Sequence, residues 1–297
     1  MGSLLFSKRN SGILIFNYQT QKQLFKFQNL YFIVVVLCTN KIAMIQISEI
    51  QHAFENYMVG LNEPFLFKNI FFDMDGVLFN SMPYHAKAWL KVFDEYGLKI
   101  NESEPYLNEG ATALFTVRAM FKKYRNVEVT EEFSEEIKIR KHVLMSNFPE
   151  SEVMIGMQQL LKNVTNAGVD CWVVTGSAQD ILLNRLEKEY PGSIFRNKMI
   201  TAHDVKIGKP NPEPYLKAMD KSGYKVSESI VIENAPMGVL SAKAAGLFTV
   251  AINTGPLDPQ VLADAGADLV LSGSEELNVI WPKLLEVLNC QLKLSDS

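Results

Sequence analysis

The chain is poor in the features that would mark a secreted scaffold, a metal-finger protein or a membrane protein. Its 297 residues include three cysteines, Cys38, Cys171 and Cys290. They are too few and too scattered for a disulfide or zinc framework, so a reduced, cytoplasmic setting is expected. Acidic residues are missing from the start: none precedes Glu49, although Lys8, Arg9, Lys22, Lys26 and Lys41 do. Setting those five aside leaves 24 basic against 33 acidic residues, a charge of −9. Such a surface disfavours non-specific contact with nucleic acid or anionic lipid, and neither partner is expected. Long apolar runs are also missing. The longest near the start, LYFIVVVLC (30–38), falls well short of the roughly 20 residues needed to cross a bilayer. Basic residues ahead of it leave a secretory leader as an alternative. The following TNK has no small-x-small cleavage pattern, and Leu37 suits a lipidated Cys38 poorly. Residues 1–43 are therefore read as an extension of doubtful role or a misassigned start. No internal repeat or low-complexity segment occurs.

What is present is an ordinary globular composition, 47% hydrophobic and 21% charged. From Met44 the sequence reads as a helix to Gly60, with Ser48 and Gln51 in a capping-box pattern. Ile47, Ile50, Phe54, Tyr57 and Met58 then share one face. Short apolar runs at KNIFFD (68–73), VDCWVVT (169–175), SIVIEN (229–234), FTVAIN (248–253) and ADLVLS (267–272) read as buried strands. Helical patterns separate the later ones. That alternation predicts an α/β fold: a Rossmann-like parallel sheet covered on both faces. Residues 81–150 carry only helical patterns, PYHAKAWLKVFDEYG, YLNEGATALFTVRAMFKKY and TEEFSEEIKIRKHVLMSNF. They are expected to form an all-helical cap inserted after the first strand, hinged near Ser81-Met82-Pro83 and Phe148-Pro149-Glu150. The core would then comprise residues 61–80 and 151–297.

Polar residues gather where strands end, which is where ligands bind in such sheets. Asp73-Met74-Asp75-Gly76 ends the first strand and Thr175-Gly176-Ser177 the second. Lys209 lies in GKPNPEPY, and Glu233-Asn234 precedes Pro236 at a helix start. Each type has a task in phosphoryl transfer. Asp73 can attack phosphorus, and Asp75 can serve as general acid and then base. Thr175, the Gly176 amide and Lys209 can bind phosphoryl oxygens; Ser177 is either a substrate contact or a helix cap. Asn234, Asp73 and the Asp75 carbonyl offer hard oxygens suited to Mg2+, with Glu233 as a ligand or supporting acid.

FFDMDGVLFNS, VVTGS, GKPNPEPY and VIENAPMGVLSAKAAG resemble, in order, the four motifs of the haloacid dehalogenase-like superfamily. The resemblance spans about residues 68–285. It implies an aspartyl nucleophile, a mobile cap and a small phosphorylated substrate. YHAKAW is similar to the cap helix of the beta-phosphoglucomutase-like subgroup. This implies that His85 and Trp89 lie near the site and that Lys141 approaches substrate. LNEG, VKIGKPNPEPYL, VIENAP and NTGPLD resemble an inorganic pyrophosphatase-like branch, implying pyrophosphate as substrate and Glu109 as a cap acid facing the site. Two departures bear on a mutase. Asn234 stands where those relatives usually carry Asp, and Gly110–Thr116 contains no Arg for a distal phosphate. The expectation is a monomeric, magnesium-dependent phosphohydrolase favouring pyrophosphate. The alternative is a beta-phosphoglucomutase or sugar-phosphate phosphatase.

Overall fold

In the computed structural model, residues 45–177 and 180–290 are described; the expected extension, 1–43, lies outside them. Six parallel strands are arranged in the order β3-β2-β1-β4-β5-β6. They are β1 (Asn69–Phe72), β2 (Asp170–Val174), β3 (Met199–Ile200), β4 (Ser229–Glu233), β5 (Phe248–Ile252) and β6 (Leu269–Leu271). β1 is central, in register with β2 (Phe72 beside Val173) and with β4 (Phe72 beside Ile232). The chain builds outward through β2 and β3, then returns to start β4 on the other side of β1. That reversal is the topological switch point at which open α/β sheets hold ligands.

Side-chain alternation divides the core. Ile70 and Phe72 of β1, Cys171 and Val173 of β2, and Ile230 and Ile232 of β4 join one apolar cluster. Phe71, Trp172 and Val231 join the cluster on the opposite face. Both faces are dry, which explains why these strands read as unbroken apolar runs rather than alternating ones. The first face is covered by α1 (Ile47–Met58) and α6 (Met157–Asn166), together with α11 (Ser274–Asn289). The second face packs on α8 (Glu213–Ser222) and α9 (Pro236–Ala244).

α1 differs in detail from the sequence expectation. Its N-cap is Gln46, whose main-chain N–H donates to Glu49 Oε2 at 2.6 Å, so the capping box is Gln46/Glu49 and not Ser48/Gln51. Beginning the helix two residues earlier leaves Ile47 exposed while Ile50 and Phe54 stay buried.

Between β1 and β2 lie α2 (Met82–Glu95), α3 (Glu104–Leu107), α4 (Ala113–Arg125) and α5 (Glu131–Met145). They enclose a separate apolar cluster built on Trp89, Val92, Phe93, Val117, Met120 and Ile137. The two connections to this helical layer run side by side: Phe79 bridges Val153 antiparallel, and Asn80 N–H donates to Glu152 O at 2.8 Å. The helical pattern through YLNEGATALF is divided between two helices, α3 and α4. Gly110 at φ 81° turns the chain, and Thr112 restarts it in an extended conformation, its Oγ1 accepting from Phe115 N–H at 3.3 Å. This break puts Glu109 in a turn facing the sheet and not along a helix. α7 (Asp180–Glu189) and α10 (Pro259–Asp264) complete the helices.

Candidate active site

Asp73 follows the last residue of β1, with its main-chain N–H donating to Ile232 O of β4 at 3.0 Å. The ladder thus carries its carboxylate to the end of the sheet, where it is almost fully buried. Lys209 reaches it from the loop before α8. Its Nζ donates to Asp73 Oδ1 at 2.6 Å, to Glu233 Oε1 at 2.6 Å and to Val174 O at 3.1 Å. Every proton of the ammonium therefore has an acceptor. Burial alone would lower the Lys209 pKa, but the two carboxylates hold it above the usual lysine value. Burial pushes the Asp73 carboxyl up to about 8, against the pull of Lys209 and with help from Glu233 and Asp75.

Glu233 is engaged on both oxygens. Oε1 accepts from Lys209 and from Tyr215 OH at 2.7 Å, and Oε2 accepts from the Asn234 N–H at 3.1 Å. It stands as the partner of Lys209 through Oε1, while Oε2 accepts a single hydrogen bond and keeps a lone pair free. Tyr215 went unnoticed in the sequence because YLKAM reads as one turn of an amphipathic helix. Its hydroxyl is nonetheless the third group locking this acid.

Asp75 sits two residues past Asp73 in the turn through Gly76. Its Oδ1 accepts from Ser81 Oγ at 2.5 Å. The sequence placed Ser81 only at a hinge. His85, one turn into α2, faces the same oxygen through Nε2 at 3.7 Å, too far for a hydrogen bond. Burial, then the neighbouring Lys141 charge, lowers the His85 pKa to about 4, so the ring is neutral near pH 7. Its Nδ1 lies 3.0 Å from Lys141 Nζ, which also stands 5.3 Å over the Trp89 ring. With Nδ1 accepting from the ammonium, Nε2 carries the hydrogen and points at Asp75. Burial lowers the Lys141 pKa to about 8.

The helical layer meets the sheet at Glu109. Its Oε1 accepts from Asn234 Nδ2 at 2.9 Å. Burial, together with the charges of Asp73, Asp75 and Glu233, raises its pKa well above the usual carboxylate range, against the pull of the Asn234 bond. Gly76 makes the contact possible: a Cβ there would lie 2.0 Å from Asn234 Nδ2 and 3.0 Å from Glu109 Oε1. Ala111 bridges Lys209 in a parallel pairing, and a Cβ on Gly176 would lie 3.1 Å from Gly110 O. Thr175 is buried at the end of β2, its Oγ1 accepting from Ser177 N–H at 3.0 Å. All the residues singled out in the sequence therefore converge on the ends of β1, β2 and β4 and the facing helical layer. Asp73, Lys209, Glu233, Asn234 and Glu109 form one buried hydrogen-bonded chain. His85 and Lys141 form a second chain that reaches toward Asp75.

The donor set fits magnesium. Asp73 and Glu233 face the buried ammonium of Lys209, and Glu109 is buried beside Asn234; a divalent cation would favour the ionised form of these carboxyl groups. The Oδ1 of Asn234 is buried without a hydrogen-bond partner among the described residues. Among those residues no three His, Cys, Asp or Glu side chains converge to hold an ion by themselves. The set would therefore combine Asp73 with the amide oxygen of Asn234 and the main-chain oxygen of Asp75, hard ligands of the type magnesium prefers.

The chain is similar to known proteins. A solved structure from Bacteroides vulgatus, described as a candidate beta-phosphoglucomutase, superposes with a TM-score of 0.78 at 40% identity, covering 82% of this chain and 99% of that one. The validoxylamine A 7'-phosphate phosphatase of Streptomyces hygroscopicus is 29% identical over 74% of this chain and 99% of its own length. Hexitol phosphatase A of Escherichia coli is 29% identical over 71% of this chain and 94% of its own. Residues 70–252, from within β1 to the end of β5, match the haloacid dehalogenase-like hydrolase family, and the chain belongs to that family.

Proposed function

We propose that the protein is a magnesium-dependent phosphohydrolase in which Asp73 is the nucleophile and Asp75 the general acid and base. The observation that carries this reading is the buried Lys209 ammonium, 2.6 Å from both Asp73 and Glu233. It orients the Asp73 carboxylate and supplies positive charge where phosphoryl oxygens would gather. The Asp73 carboxylate forms a bond to phosphorus as the ester P–O bond breaks, and Asp75 gives its proton to the leaving oxygen. Water then attacks the aspartyl phosphate, losing a proton to Asp75 and releasing inorganic phosphate. Thr175 Oγ1 and the Gly176 N–H are placed to bind phosphoryl oxygens. Ser81 keeps Asp75 in position, and Tyr215 keeps Glu233 in position. A bound magnesium ion would neutralise phosphoryl charge beside Asp73.

The substrate class best supported is a small phosphorylated sugar or polyol, because the phosphatases similar to this chain are named for such compounds. They lend no support to the pyrophosphate preference expected from sequence. One observation keeps pyrophosphate as a second reading: the helical layer presents a buried acid, Glu109, directly against Asn234. The layer lies close enough over the site that Gly110 O nearly touches Gly176. A compact second phosphate fits beneath such a cover more readily than a sugar ring. The test is a set of initial rates on an aryl phosphate, hexose and polyol phosphates and pyrophosphate, each with magnesium and with chelator. Magnesium-dependent turnover that favours a sugar or polyol phosphate supports the first reading, and turnover that favours pyrophosphate supports the second. Failure to hydrolyse any of them refutes both.

A further inference from the structure

A groove lies between α4 and the loop that delivers Lys209. It measures about 790 Å³, within the range that holds a small organic ligand. One side is α4, with Leu114, Phe115, Arg118 and Lys122. The other is the loop that delivers Lys209, with Lys206, Ile207 and Lys209 itself, whose ammonium is turned away to Asp73 and Glu233.

Three properties define what would fit. The floor is apolar, and Phe115 and Ile207 remain 42% and 56% exposed there, a large apolar area left open to water. The rim is cationic in a protein that carries a net charge of −4. Lys206 Nζ has neither an ion-pair nor a hydrogen-bond partner among the described residues. Arg118 meets Glu131 only at 3.7 Å, with both side chains exposed. Lys122 is paired with Glu128 at 2.8 Å, the one acid lining the groove. The groove also spans the seam between helical layer and sheet. Thr112 sits on Gly208 so closely that a Cβ there would lie 2.5 Å from Thr112 Cγ2, and Ala111 bridges Lys209.

We propose that this groove is a regulatory binding site for a small amphipathic organic anion: a flat apolar body on Phe115 and Ile207, with one anionic group at Lys206 and Arg118. Because its two walls belong to the helical layer and to the Lys209 loop, the groove exists only while they are in contact. A ligand that fills it favours the closed arrangement by its differential affinity and slows the opening that releases product. The effect on turnover rests on the hydrolase reading above; the binding does not.

The probe is 8-anilinonaphthalene-1-sulfonate, an aromatic sulfonate of this class, titrated by fluorescence into the full chain. Saturable binding at one site is expected, unaffected by inorganic phosphate with magnesium. Lys206→Glu and Phe115→Ser should each weaken it by roughly tenfold, the scale of one lost charge-assisted contact or one lost apolar anchor. Near-UV circular dichroism checks that each variant keeps the native fold. Should either lose it, Arg118→Glu on the exposed face of α4 takes its place. With aryl phosphate as substrate, the probe should lower kcat without raising KM. Equal affinity in wild type and folded variants, or displacement by phosphate, would overturn the site. Purely competitive inhibition would overturn the regulatory role.

Discussion

The amide of Asn234, at the end of β4, donates to the carboxylate of Glu109, in the turn that covers it, at 2.9 Å. This bond, beside the Ala111–Lys209 bridge, links the sheet to the helical layer and leaves Asn234 Oδ1 with no partner among the described residues. On the proposed reading Asn234 has two tasks, anchoring the cover and holding a magnesium ion.

Replacing that amide separates the two tasks. Asn234→Asp turns a dipole into a full charge, so apparent magnesium affinity should tighten, by roughly tenfold. The new carboxylate would also face Glu109, so the covering turn should be repelled and KM for substrate should rise. Glu109→Gln in the same chain restores a donor opposite the acid. The double variant should therefore recover KM while keeping the tighter magnesium dependence, a non-additivity in KM that substrate and magnesium titrations of the four proteins would measure. Purely additive effects would mean that the pair is not coupled in the working enzyme.

Gly76 tests the same contact from the backbone. It sits at φ 82°, and a methyl group there would overlap Asn234 Nδ2 at 2.0 Å. Gly76→Ala should lower turnover by at least about a hundredfold and cost roughly 1–3 kcal/mol of stability, from the left-handed backbone and the displaced Asn234 together. Turnover and Tm measured side by side check this. A variant with wild-type turnover would show that the turn has room to relax.

Lys141 gives a pH dependence with a defined sign. Burial lowers its pKa from the ordinary 10.5 to about 8. The charged form that attracts an anionic substrate is therefore lost above pH 8, and KM should rise there. The folded chain has released this proton between pH 8 and 10.5 while the unfolded chain still holds it. The group's contribution to stability must then increase with pH across that window, opposite in direction to substrate binding. Lys141→Met should abolish the KM inflection. An unchanged KM profile in that variant would exclude Lys141 from substrate binding.

The sequence disclosed the site more fully than the connections that support it. Asp73, Asp75, Thr175, Glu233 and Asn234 could be placed because each ends or follows a continuous apolar run, the signature of a strand buried on both faces, and Lys209 because GKPNPEPY leads into a helix. β3 escaped because two residues, Met199 and Ile200, show no periodicity. The break at Gly110 was hidden because ATALF continues an amphipathic pattern across it, and only the left-handed glycine and the Thr112 cap stop the helix. The Ser81–Asp75 and Tyr215–Glu233 bonds depend on the direction of side chains brought together by folding, which spacing along the chain does not encode. The substrate is least legible of all: Glu109 marks the cover's charge but not the size of what lies beneath it.

The central claim is that Asp73 forms a covalent phosphoryl intermediate, and it can be tested at that residue. The protein is mixed with an excess of aryl phosphate and magnesium, quenched in acid within one turnover and reduced with borohydride, which converts an aspartyl phosphate to homoserine. Peptide mass spectrometry should find homoserine at position 73 and at no other aspartate, and Asp73→Asn should yield none while losing turnover by roughly 10⁴-fold or more. Sustained hydrolysis with position 73 left as unmodified aspartate, or an Asp73→Asn variant within tenfold of wild type, would contradict the account.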